Sequence, residues 1–467
     1  MKIKTLITFP IIILLITSCS IWSSEKKIAK VTKKSIEKEV APPKQWAVKT
    51  TEKIFVQTKW LESFNDPILL KLIEEGKANN SDLKVAASNM EKAWLLAKQS
   101  GAALKPTADL SLNRTQSGNA DGSPSDYNVA VGLKASWELD VWGRIRAGEN
   151  MAKANAQAAR ADYTFSQHSL SANIAKTYFK AIEAKLQADI AHKNLEILNK
   201  NMRITQAKYD DGQATGQDIA LNKANIATAQ EQLIAIDGSQ RDAIRALEIL
   251  LGRYPNAKSE IPNKLPDLPL SPPAGIPSKI LERRPDIVSA ERQIAAAFNA
   301  VDQAQAARLP RFSLTSSVNG ASKSLSDILN PANVAWQFAA NLMAPLLDGG
   351  KKKIDVKIAT IEQEQAIANY VQKALKAFSE VENNLDQGGV LTHRETALTE
   401  THSQIEKAYK IAELRYNEGE SSLLDTLQIQ QQLISTNSNL LAIKRSQLEQ
   451  RVNLYLSLGG SWEVVGE

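Results

Sequence analysis

The sequence is written twice. Laid on itself, Asn80-Ser81-Asp82-Leu83 falls on Arg284-Pro285-Asp286-Ile287 and Pro106 on Pro310 at an offset of 204, and Val129 falls on Val334 at 205. Gly143-Arg144, Tyr209 and Leu251-Gly252 fall on Gly350-Lys351, Tyr416 and Leu458-Gly459 at 207. A period near 200 residues marks a duplicated domain, because solenoid repeats run to roughly 20–50 residues. Any fold for this chain must therefore build one unit two times, and the repeat, not the length of 467 residues, sets the domain count.

Within each copy the hydrophobic period switches from 2 to about 3.5. Tyr127, Val129, Val131, Leu133, Ala135, Trp137 and Leu139 alternate with Asn128, Ala130, Gly132, Lys134, Ser136 and Glu138. In the second copy Val334, Trp336, Phe338, Ala340 and Leu342 alternate with Ala335, Gln337, Ala339 and Asn341. Shorter alternations run through Ala108, Leu110 and Leu112 and through Phe312, Leu314 and Val318, so each copy offers two strands. The connections 117–126 and 320–331 are rich in Gly, Asn, Ser and Asp and suit exposed hairpin loops. Strands of about 10 residues have the length at which a tilted strand crosses a bilayer. A soluble sandwich is the bland alternative, but the hairpins are separated by long helical stretches.

From Arg144 to Tyr209 there is no proline and one glycine, Gly148, which predicts a rod of roughly 100 Å. Sevenfold spacing runs through Ile174, Ala181, Ala188, Leu195, Met202 and Tyr209, then through Leu391, Leu398, Ile405 and Ala412, and through Leu427, Ile434, Leu441, Leu448 and Tyr455. These are coiled-coil seams. Tyr209-Asp210-Asp211-Gly212-Gln213 and Tyr416-Asn417-Glu418-Gly419-Glu420 read as turns that send each long helix back. Segments 40–75 and 253–285, the latter with eight prolines, read as irregular packing between copies.

Lys2 and Lys4 precede an apolar run from Leu6 to Ile16 that ends in Ile16-Thr17-Ser18-Cys19. At roughly 11 residues the run is too short to span and reads as a signal core. The tetrad resembles the bacterial lipobox, which implies cleavage before Cys19, diacylglycerol and palmitate on that residue, and, from Ser20, sorting to the outer membrane. Cys19 is the only cysteine, so no disulfide framework or multi-cysteine metal site is available within one chain. Loss of the signal lowers the net charge from +6 to +4 with both signs intermixed, and no aromatic-interleaved basic patch points to nucleic acid. His168, His192, His393 and His402 lie in helical stretches without ligand or triad spacing, so no catalytic or metal site is expected. The expected layout is a signal peptide (1–18), a lipidated tether and equatorial segment (19–75), a first repeat (76–252), a Pro-rich linker (253–283), a second repeat (284–458) and a tail (459–467).

Four membrane strands leave open edges that a bilayer does not tolerate, and closed membrane barrels have about eight strands or more. Self-association cures this, and three chains would supply 12 strands. Here the chain resembles the TolC-like outer-membrane factors, in particular their lipoprotein branch. The resemblance rests on Cys19, Trp137-Glu138-Leu139-Asp140-Val141-Trp142-Gly143-Arg144, Arg283-Arg284-Pro285-Asp286, Pro345 through Asp348-Gly349-Gly350, Tyr416 to Asp425, and Leu458-Gly459-Gly460. It implies a mixed α and β membrane protein: a homotrimeric 12-stranded outer-membrane β-barrel, four strands per chain, continuous with a long periplasmic α-helical coiled-coil barrel. It also implies a passive efflux duct fed by a periplasmic adaptor (a membrane fusion protein) and an inner-membrane pump, with outer-membrane lipid around it and no bond broken.

Asp218 and Asp425 are repeat partners, each nine residues after its turn tyrosine. Carboxylates around a narrow threefold opening would favour cations, and in the family pattern Asp425 and Tyr416 match residues that hold the tip closed. The bland reading is that each Asp starts a return helix, where its charge suits the dipole. Gln428 and Ser421 stand where a second Asp and an Arg can occur, so whether a salt bridge latches the gate stays open. Gly212, Gly419 and Ser421 at the tips are the expected adaptor contacts. Type I protein secretion, metal export and, from another class, a structural coiled-coil lipoprotein remain open alternatives.

Overall fold

The computed structural model describes residues 30–43, 45–48, 60–120, 124–272, 277–328 and 330–460. The signal segment, Cys19, Trp462 and the tail beyond residue 460 lie outside these. The duplication is exact to the residue in most elements. α1 (Pro67–Asn79) and α2 (Ser81–Ala102) lead to β1 (Thr107–Gly118), β2 (Pro124–Leu139), α3 (Arg144–Asp210) and α4 (Gly216–Leu250). α5 (Pro277–Arg283), α6 (Pro285–Ala306), β3 (Arg311–Ser322), β4 (Val334–Met343), α7 (Lys351–Asn417) and α8 (Leu423–Ser457) repeat that order. The paired helices have equal lengths: 22 residues for α2 and α6, 67 for α3 and α7, and 35 for α4 and α8.

Two stretches expected to be irregular hold helices. Residues 67–75 belong to α1 because Asp66 accepts the N–H of Ile68 and Leu69, Pro67 sits in the first turn, and Leu69, Leu72, Ile73 and Gly76 bury one face. α5 interrupts the Pro-rich stretch in the same way, with Pro277 as its first residue. The rest of that linker is tied down by Glu248, a carboxylate 2% exposed that accepts the N–H of Ala257, Lys258 and Ser259 and the Ser259 hydroxyl. Burial raises its pKa, but these hydrogen bonds outweigh burial and hold it below the usual carboxylate value.

The described chain forms two compact units. One contains Ala103–Met151 and Gln293–Ile367, with the described part of the first 39 residues. Its four strands make one antiparallel sheet in the order β1-β2-β3-β4, so the hairpins of the two copies join through β2 and β3. The register aligns the apolar alternations: Leu110 opposes Leu133, Leu133 opposes Val318, Val318 opposes Trp336, Trp137 opposes Leu314, and Phe312 opposes Leu342. Directly opposed residues share a face, so these side chains form one continuous apolar face. The other face carries Lys134, Ser136, Thr315, Ser317, Gln337 and Asn341. Among the described residues β1 and β4 each keep one edge without a partner.

The second unit contains Val40–Ala102, Ala152–Arg292 and Ala368–Glu467. Its largest core draws on both copies: Leu69, Ile73, Ile174, Tyr178, Phe179, Ile182 and Leu247 pack with Leu448, Val452 and Tyr455, and Trp60 stacks on Tyr455 at 5.2 Å. The expected seam is buried at Ile174, Ala181 and Ala188. The ends of both return helices are clamped at equivalent points, Leu250 O accepting from Asn80 Nδ2 at 3.0 Å and Ser457 O from Arg284 Nη1 at 3.4 Å. Among the described residues no helix is long and apolar enough to cross a membrane.

Candidate functional site

Two regions carry chemistry a duct would use: the sheet and the helical turns at Gly212 and Gly419. On the apolar face of the sheet Trp336 is 79% exposed, Leu110 76%, Leu112 68% and Phe338 63%. An apolar face of that extent, held by a sheet whose outer edges are open, is stable only against lipid and further strands. The strands run to 12, 16, 12 and 10 residues, long enough to cross a bilayer at a tilt.

At the turns the backbone enters the left-handed region at Gly212 (φ +72°) and Gly419 (φ +83°), and nothing lies within 4 Å of a Cβ placed on either. Both glycines are therefore explained by the turn itself, and both turns leave open space beside them. Ser421 is half-buried, and its Oγ has no hydrogen-bond partner among the described residues.

Asp218 and Asp425 occupy the third position of α4 and α8, where they cap the helices. Thr215 Oγ1 accepts the N–H of Asp218, and Asp218 Oδ2 accepts the N–H and hydroxyl of Thr215, both at 2.8 Å. Ser422 Oγ accepts the N–H of Asp425 and donates to Asp425 Oδ2 at 2.8 Å. The helix-start reading of these residues is thus realised. A carboxylate has about four lone-pair sites, so each retains acceptor capacity toward an ion.

Tyr416 is buried, 6% exposed, and linked to the first copy. Its hydroxyl lies 2.9 Å from Thr205 Oγ1. Thr205 donates its one proton to Asn201 O at 2.9 Å and accepts from Asn222 Nδ2 at 2.7 Å. A threonine hydroxyl has one donor and two acceptor sites, so Tyr416 is the donor to Thr205. Lys208 completes the grip: its ammonium donates to Tyr416 O and stands 4.1 Å from the ring centroid. Tyr416, Leu423 and Leu427 pack with Leu198 and Ala229 of the first copy.

The polar contacts continue along α3. Gln430, 2% exposed, donates to Asn194 Oδ1 at 2.9 Å and accepts from Asn201 Nδ2 at 3.3 Å. Beside it lies a cavity of about 320 Å³ whose lining includes Asn194, Asn225, Gln428 and Gln430. Sequence reasoning missed Lys208, Thr205 and this ladder. The signal was present in the sevenfold spacing of Asn194, Asn201 and Lys208, which places polar residues on a seam where they set register at a cost in stability. Among the described residues no group of three or more His, Cys, Asp or Glu side chains is placed to hold a metal ion.

A family model described as "Outer membrane efflux protein" matches residues 72–253 and 276–460, one match per copy. The chain is 31% identical over 417 residues to the solvent efflux pump outer membrane protein SrpC of Pseudomonas putida, covering 86% of this chain and 87% of that one. It is 30% identical over 415 residues to the cation efflux system protein CusC of Escherichia coli O6:H1, covering 86% and 88%. A solved structure of CusC, described in terms of transmembrane channel formation, superposes with a TM-score of 0.80 over 90% of this chain and 96% of that one, at 26% identity. The probable outer membrane lipoprotein SilC of Salmonella typhimurium is 28% identical over 417 residues, covering 87% and 89%.

Proposed function

The chain belongs to the outer membrane efflux protein family and is an outer-membrane channel subunit of a tripartite efflux system, and from that premise we propose how the subunit assembles and works. Three copies close the barrel: β4 of one chain pairs with β1 of the next, and 12 strands enclose a passive lumen. The observation that carries this reading is the four-stranded sheet with one apolar face and two open edges, which bilayer can hold only in a closed ring.

Cargo moves by diffusion, driven from an inner-membrane pump through a periplasmic adaptor that engages the turns around Gly212, Gly419 and Ser421. The pump chooses the substrate. The relatives' names span solvents and cations, which fits a duct with little selectivity of its own. Asp218 and Asp425 line the closed constriction, and Tyr416 holds it through Thr205 and Lys208. Cys19 carries diacylglycerol and palmitate as a second attachment to the membrane, a reading supported by its lipobox and by the lipoprotein SilC.

The test is the full-length protein purified in detergent, weighed by native mass spectrometry and reconstituted in planar bilayers. A mass of three subunits with discrete ion conductance is expected. A stable, non-conducting monomer would sink the proposal. Cys19→Ala should keep the trimer and its conductance while weakening anchoring.

A further inference from the structure

The strand-to-helix junctions of the two copies are repeat partners with different charge. After β2, Asp140 accepts the N–H of Ile145 and Arg146, and both arginines of the junction are neutralised: Arg144 pairs with Glu138 at 2.9 Å and Arg146 with Asp140 at 3.2 Å. After β4, Asp348 plays the same capping role, accepting the N–H of Gly350 and Lys352. The basic residues there are Lys351, Lys352 and Lys353, with Lys357 one turn further on. Among the described residues none of these four is joined to a carboxylate, and Lys351, Lys353 and Lys357 are exposed.

Immediately before them, Leu346 is 94% exposed and Leu347 95%. They follow the end of β4 at Met343, a strand whose Trp336, Phe338 and Leu342 belong to the membrane face of the sheet. The chain thus passes from a lipid-facing strand, through two bare leucines, to a cluster of unneutralised lysines within about ten residues. That order matches the order of chemistry across a leaflet: acyl chain, interface, phosphate.

We infer that the β4–α7 junction, residues 346–357, is a binding surface for anionic phospholipid in the leaflet on the helix side of the membrane. Leu346 and Leu347 lie against acyl chains, and the lysines hold the headgroup phosphate. The first-copy junction takes no such lipid, because its arginines are already satisfied. The surface rests on the membrane placement of the sheet but not on the gate or on any cargo.

The test uses the assembled full-length channel, with native mass spectrometry of lipid retained from mixed micelles of phosphatidylglycerol or phosphatidylcholine. The wild type should retain phosphatidylglycerol preferentially. The preference should drop about fivefold for each lysine removed in the series Lys351→Gln, Lys352→Gln and Lys353→Gln, with planar-bilayer conductance unchanged. A Leu346→Ser/Leu347→Ser variant should lose both lipids alike. Equal retention of the two lipids by the wild type, or an unchanged preference in the triple variant, overturns the inference. So does dissociation of the triple variant into subunits in lipid-free detergent, since the lysines would then face a second copy. Loss of conductance in the wild type would instead count against the channel reading, which separates the two failures.

Discussion

Tyr209 and Tyr416 hold the same place in their copies, yet Tyr209 is 47% exposed and Tyr416 is 6% exposed. The difference lies in what each copy offers its neighbour. Within the chain, the second hairpin meets Thr205 and Lys208 of the first. The positions that repeat these are Ala412 and Arg415, and Arg415 faces its own turn, 3.8 Å from Glu420. In a trimer of alternating copies, Tyr209 would meet the second hairpin of the next subunit, where Ala412 stands at the position of Thr205. Duplication followed by divergence has closed the seam inside the chain with contacts that the repeat positions do not supply, so the proposed trimer is expected to open between subunits first.

The same contrast appears at the base of the helices, where the largest effect is expected. Asn80 and Arg284 clamp the ends of α4 and α8, one as a neutral amide and the other as a buried cation. Arg284 is 4% exposed and pairs with Asp286 at 2.8 Å and Glu380 at 2.6 Å. Burial opposes its charge, but these two carboxylates outweigh burial and keep its pKa above the usual arginine value. Arg284→Ala strands both carboxylates. Breaking a buried pair costs roughly 3–5 kcal/mol, and because Glu380 is 37% exposed and Asp286 19%, about 2–3 kcal/mol is the discounted expectation. Asn80 also caps α2, its Oδ1 accepting the N–H of Leu83 at 3.0 Å, and Asn80→Ala should cost about 1 kcal/mol. Thermal denaturation of the assembled protein checks the order. Arg284→Asn combined with Glu380→Asn, which rewrites the second clamp in the style of the first, should recover most of the loss. If it does not, the charge network has a role that the repeat comparison overlooks.

At the turns, Tyr416→Phe removes one buried hydroxyl donor and should cost about 1 kcal/mol. In single-channel records it should raise the open fraction. Tyr209→Phe alters an exposed ring edge and should leave both stability and gating within error. Equal effects from the two would mean that Tyr209 has a partner of its own in the assembly, and the asymmetry drawn from one chain would be wrong.

Much of this is legible in the sequence. Alternation fixed which side chains share the apolar face, and sevenfold spacing found Ile174, Ala181 and Ala188 in the core. What could not be read was which edges meet: β2 pairs with β3 across more than 170 residues, and period-2 patterning specifies a face, not a neighbour. α1 was missed although its signals were present, the Asp66-Pro67 cap and the apolar stripe Leu69, Leu72 and Ile73, because they sit at the end of a segment that opens on Pro42-Pro43 and shows no helical period before them. Lys208 and the Asn194–Gln430–Asn201 ladder escaped because an amide or ammonium on a helix reads as solvated until a second helix covers it. Asp218 and Asp425 were legible as a pair, but their capping partners, the hydroxyls of Thr215 and Ser422, were not, because a Ser or Thr three residues ahead of an Asp reads as ordinary turn composition until the helix start is placed.

Among the tip residues, the small effects expected at the two aspartates are the most discriminating for the gate. Asp218 accepts two hydrogen bonds from Thr215, whereas Asp425 accepts one from Ser422. If both carboxylates serve only the helices, Asp218→Ala should cost about 0.5–1 kcal/mol and Asp425→Ala only a few tenths. Cation preference in planar bilayers should then be the same for both variants and for the wild type. If instead they ring the constriction, the ranking reverses in the electrical record: Asp425, exposed and held by one bond, has more free acceptor capacity, and its loss should lower cation preference more than that of half-buried Asp218. Stability and conductance therefore rank the two aspartates in opposite orders under the gate reading. Under the cap reading only stability ranks them at all.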